Sequence, residues 1–130
     1  MTHVDAFGIH SLEGTDEAEQ IDEEKGYANR VFYKNCTNLI FAPGLQEYLK
    51  GLPKLERVRL MGCLSEICVT NGGIGLRTFF DQNDMDVEVC VHADAIDTYD
   101  APGHDADLVT EQALKMMESN GIKVLRKERM

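Results

Sequence analysis

The feature that most constrains this chain is the order of its apolar patterns, which alternate between strand and helix from Arg30 to Leu125. RVFYK (Arg30 to Lys34) is β-branched and aromatic, and reads as a strand. APGLQEYLKG follows, with Pro43 placed for a first helical turn and Gly51 for a C-terminal cap. RVRLMG (Arg57 to Gly62) alternates and ends on glycine, a second strand. A helical stretch from about Glu66 to Phe80 leads through DQND to a third strand, VEVCV (Val87 to Val91). DAPGHDADLVTEQALKMMESNG then reads as a helix that stops at Asn120-Gly121, ahead of a last strand, IKVL (Ile122 to Leu125). Strands separated by helices pair in parallel, because a parallel neighbour needs a long crossover. Right-handed crossovers would put helices on both faces of the sheet. The expected fold is therefore α/β, with three α/β/α layers around a mostly parallel sheet, in a single domain over residues 1–130.

Charge narrows the function. The net charge is −10, and seven acids with no base stand between Glu13 and Glu24. That run reads as a solvated helix face. An excess of acid argues against nucleic acid and anionic membrane, since phosphate binding needs surplus Lys and Arg. No apolar run approaches the roughly 20 residues of a membrane span, and the polar N-terminus lacks a secretory pattern. The four cysteines (Cys36, Cys63, Cys68 and Cys90) form neither a CxxC pair nor a secreted disulfide framework. A cytoplasmic protein with reduced thiols and a small-molecule substrate is expected.

The order of elements places GCLSEICVTNGG (Gly62 to Gly73) at a strand–turn–helix elbow. Sites in open parallel sheets form at the carboxyl ends of strands. Cys68 opens the helix there, whereas Cys63 lies in the turn. Ser65 is placed as an N-cap, which would make Cys68 the third residue of the first turn. A thiol near a helix N-terminus or a cation is a useful nucleophile. Cysteine is also among the most buried residue types. Position alone leaves Cys68 open between core filler and nucleophile.

A resemblance bears on the choice. RLMGCLSEICVTNGGIGLRTF resembles the signature of the isochorismatase-like cysteine hydrolases, in which a strand ends in glycine and a T-D-x-C-V-type motif carries the nucleophile. HADAIDTYDAPGH is similar to the family's D-A-x-x-T-Y/F-D stretch, and VFYKNCTNLIFAPGLQEYL to its third strand and following loop. HSLEGTDEAE looks like a stretch of the nicotinamidase branch. The resemblance implies that Cys68 is the nucleophile and Lys34 the catalytic lysine. It implies a cis peptide at Cys63–Leu64, with the backbone N–H groups of Leu64 and Cys68 forming the oxyanion hole. The implied reaction is hydrolysis of a small amide such as nicotinamide to an acid and ammonia, through a thioester at Cys68. Cys63 would be structural.

The resemblance also implies parts that this sequence does not supply. Family members begin with a strand ending in D-x-Q-x-D-F, whose first Asp is the general base, and no such motif is present. The chain is expected to start about two strands late, as an N-terminally truncated domain with impaired activity. Asp5 lies in the wrong segment to replace the base. The nicotinamidase branch further implies a divalent, zinc-like metal held by one Asp and two His, although the covalent chemistry requires no cofactor. His10 corresponds to the last ligand and His3 to the second, while the Asp position falls at Met1. His92 and His104 read as polar groups at a strand end and a helix start. Glu66 stands where the family has Asp, and its added methylene is expected to disturb the turn. The glycines at positions 72, 73 and 75 are neither a phosphate loop nor a dinucleotide fingerprint, leaving close helix packing or simple drift. Unpaired central strand edges would favour a homo-oligomer. The competing function is a non-catalytic remnant serving as an oligomeric or partner-binding module. A redox thiol protein fits poorly, because Cys63 and Cys68 lack the CxxC spacing.

Overall fold

The computed structural model describes residues 30–126. Contacts divide the protein into two compact units, Met1–Phe32 and Tyr33–Met130, and every element named below belongs to the second. A 3-10 turn (Leu39–Phe41) leads into helix α1 (Leu45–Lys50) and strand β1 (Arg57–Cys63). A π-helical turn (Ser65–Val69) runs straight into helix α2 (Thr70–Gln82). Strand β2 (Glu88–Asp97), helix α3 (Ala106–Ser119) and strand β3 (Lys123–Leu125) complete the order.

The three strands form an open sheet in the order β1-β2-β3, and both ladders are parallel. This is the α/β class and the parallel pairing expected from the alternation. Helices α2 and α3 pack against each other and against β2, so one apolar core lies between them and the sheet. Phe80, Val89, Val91, Leu114, Met117 and Ile122 are its fully buried members. α2 contributes Leu76, Phe79 and Phe80, the three-to-four spacing that sets apolar side chains on one helix face. α3 starts on Asp105, whose carboxylate accepts from the Leu108 N–H, and stops at the Asn120-Gly121 pair read from the sequence. Gly121 takes the left-handed conformation (φ 87°) that lets the Ile122 N–H reach back to the Met117 carbonyl. No helix among the described residues is long and apolar enough to cross a membrane.

Two local expectations are corrected. Arg30–Lys34 is not a strand, and Val31 and Tyr33 are more than half exposed. Its residues favour extended backbone, but a strand exists only within a ladder, and no described strand pairs with this segment. Pro43 falls before α1 rather than in its first turn, because Gly44 (φ 87°) is the N-cap. Gly51 does cap the other end. β2 also runs six residues past Val91. The register shifts between Leu60 and Gly62, after which Gly62 pairs with Ile96 and Cys63 with Asp97. This late pairing brings the ends of β1 and β2 together beside the π-helical turn.

Candidate active site

Cys68 is the fourth residue of the π-helical turn that follows β1. The turn is closed by the Val69 N–H donating to the Leu64 carbonyl at 3.1 Å, five residues back. Its N-cap is Leu64, not Ser65, so the expected serine cap is corrected. Ser65 is fully buried inside the turn, where its hydroxyl accepts from Thr110 Oγ1 (3.0 Å) and its carbonyl from Thr70 Oγ1 (2.6 Å). A buried hydroxyl is satisfied where partners reach it, and α3 supplies one. The peptide between Cys63 and Leu64 is cis.

Lys34 arrives from a separate segment. Its ammonium donates to the Cys36 carbonyl at 3.0 Å and stands 3.8 Å from Cys68 Sγ. The segment from Lys34 to Phe41 is anchored along α2. Asn71 Nδ2 donates to Thr37 Oγ1 (2.9 Å), and the Asn38 side chain accepts from the Ile40 N–H (3.1 Å). Two glycines make the approach possible. A β-carbon at Gly72 would stand 2.7 Å from Leu39 Cδ2, and one at Gly75 would overlap the Asn38 side chain. Gly73 faces the other way, against Leu60 and Ile122. Close packing is the role of this cluster, on the sheet for one glycine and on the lysine-bearing segment for two.

The other thiols differ in setting. Cys63 is exposed, and Cys36 is half-buried, its Sγ 3.3 Å from the Asn38 carbonyl. Cys90 is fully buried in β2, and burial pushes its thiol up from the ordinary value. His92 pairs with Leu125 in the β2–β3 ladder. His3, His10 and Asp5 lie outside the described residues.

The chain matches the model of the isochorismatase domain over residues 2–128. It belongs to the isochorismatase family. No curated protein and no solved structure gives a significant match. An isochorismatase domain supports a hydrolase of the cysteine-hydrolase superfamily. Within this isochorismatase domain, sequence reasoning passed over one group. Glu66 Oε1 accepts from Thr98 Oγ1 at 2.9 Å and lies 3.4 Å from His104 Nε2. His104 was read only as a helix-start polar group. The available signal was the DTYDAPGH stretch, which carries Thr98 and His104 together. A cavity of about 620 Å³ lies beyond them, lined by His104, Asp100, Asp105 and Gln112 but not by Cys68 or Lys34.

Proposed function

We propose that this domain hydrolyses a small amide such as nicotinamide, with Cys68 as nucleophile and Lys34 as its partner. The observation that carries the reading is the Lys34 ammonium 3.8 Å from the Cys68 sulfur. A cation beside a sulfur favours the thiolate, the form that attacks. The sulfur adds to the amide carbonyl carbon, and the oxygen that gains charge is received by the backbone N–H groups of Leu64 and Cys68. The tetrahedral adduct collapses with loss of ammonia to leave a thioester on Cys68. Water then releases the acid and returns the thiol.

Turnover is slow on this reading. Taking the thiol proton and passing it to the leaving nitrogen calls for a carboxylate, and the polar partner of the sulfur among the described residues is a cation. General acid–base groups are worth roughly 10²–10⁴-fold. Ammonia release from nicotinamide by the chain and by Cys68→Ala tests the reading. Weak release that vanishes in Cys68→Ala supports it. Release that survives the substitution overturns the assignment of the nucleophile, and no release at all favours a non-catalytic module.

A further inference from the structure

We propose that Glu66 is a positioning residue for Cys68, held in place by Thr98. The inference rests on the reading of Cys68 as nucleophile. Glu66 is two residues before Cys68 in the same π-helical turn, and its carboxylate meets Thr98 just past the end of β2. There Thr98, which is 9% exposed, donates its hydroxyl to Oε1. Charge-assisted bonds of this kind are the strong ones.

His104 lies beside the same carboxylate oxygen. Its ring stacks on Tyr99 with centroids 4.0 Å apart and planes within 4°. Its Nδ1 is 2.7 Å from the Tyr99 carbonyl, which only accepts, so Nδ1 carries a hydrogen. Stacking and hydrogen bond together fix the ring with Nε2 3.4 Å from Glu66 Oε1, an ion pair only when the ring is protonated. The second carboxylate oxygen, Oε2, is shut from solvent with no hydrogen-bond partner among the described residues.

Cys68 and Lys34 come from segments 34 residues apart, so their separation depends on where the π-helical turn sits. The turn is located by Ser65 bound to Thr110 and by Glu66 bound to Thr98. Thr98 in turn follows Asp97, the ladder partner of Cys63. Through Glu66, then, the paired ends of β1 and β2 set the sulfur against the ammonium. Glu66, one methylene longer than Asp, makes its bond to Thr98 from within the π-helical turn.

The test is a double-substitution cycle read by thiol chemistry. The rate of Cys68 alkylation at pH 7 is measured by mass spectrometry against a free thiol peptide in the same tube. Thr98→Val, Thr98→Ser and Glu66→Asp are each made with Lys34 present and with Lys34→Met. Loss of one charge-assisted bond should slow Cys68 by about tenfold in Thr98→Val and Glu66→Asp when Lys34 is present. With Lys34→Met the same changes should move the rate less than about twofold, since no ammonium remains to be aligned. Thr98→Ser keeps the hydroxyl and should keep the rate. An unchanged rate in Thr98→Val, or an equal loss in both backgrounds, overturns the proposal by showing no role or only general loosening. Ammonia release is followed in parallel, so failure of the hydrolase reading shows there while the labelling cycle still decides this one.

Discussion

Lys34 Nζ lies 3.8 Å from Cys68 Sγ, and it is the Cys36 carbonyl, 3.0 Å from the same nitrogen, that holds it there. The ammonium is thus steadied by the segment that carries it, and that segment is steadied by α2.

Cys68 should therefore be the fastest of the four thiols to react at pH 7, and Cys90 the slowest. Burial raises the Cys90 thiol and hides it, so it offers neither thiolate nor access. Limiting alkylation followed by mass spectrometry gives the order. Lys34→Met should cost Cys68 its lead while leaving Cys90 last. Faster labelling of Cys63 or Cys36 in the unsubstituted protein would contradict the pairing.

Gly75→Ala should destabilise the protein by about 1–3 kcal/mol, the range for overfilling a packed site. Alanine gains about 1 kcal/mol of helix propensity over glycine. Here the gain is outweighed, because the Asn38 side chain that a β-carbon would meet is committed to the Ile40 N–H. Urea unfolding measures the difference. The same substitution should slow Cys68 alkylation, since it displaces the segment bearing Lys34. A rise in stability would show that the segment yields without penalty.

Truncating the core at Phe80, which is fully buried on α2, should cost about 3–5 kcal/mol. The cavity would open in the one apolar cluster that Phe80 shares with Val89, Leu114 and Met117. Chemical denaturation of Phe80→Ala monitored by far-UV circular dichroism checks this. A loss below about 1 kcal/mol would mean the core collapses around the gap.

Stability should fall in acid partly through Glu88. Its carboxyl is held below the ordinary range by the hydrogen bond from Arg57, its direct ladder partner, with further help from Lys123. A folded-state value below the unfolded one means the contribution is complete above the unfolded value. It is lost as pH falls through the folded value. Glu88→Gln should therefore lower the urea midpoint at pH 7 and narrow its difference from the parent as pH drops through the carboxylate range. A difference that is constant with pH would remove Glu88 from the acid response.

The sequence was most legible where a residue's role is decided by its neighbours in the chain. The β1, β2 and β3 runs, the α3 stop at Asn120-Gly121 and the elbow that carries Cys68 all follow from local pattern. Arg30–Lys34 was misread because pairing, not composition, makes a strand. The Ser65 cap failed because Thr110, 45 residues away, claims its hydroxyl. Glu66 with Thr98 and His104 was missed for the same reason. Each residue looks ordinary in its own segment, and the register shift in β1–β2 is what brings them into reach. The proximity of Lys34 to Cys68 came from the family resemblance, since nothing local joins residues so far apart.

The parallel sheet also sets a sequence of events. Arg57 pairs with Glu88, and Cys90 with Lys123, so each ladder closes over a stretch of roughly 30 residues. The described strands include no short hairpin to start the sheet, and chains with such distant pairings reach their native state slowly. Thr98 cannot meet Glu66 until β2 has docked on β1. A growing polypeptide leaving the ribosome would present Cys68 before anything holds it in place, which makes assembly, rather than the finished fold, the interval in which this thiol is most open to oxidation.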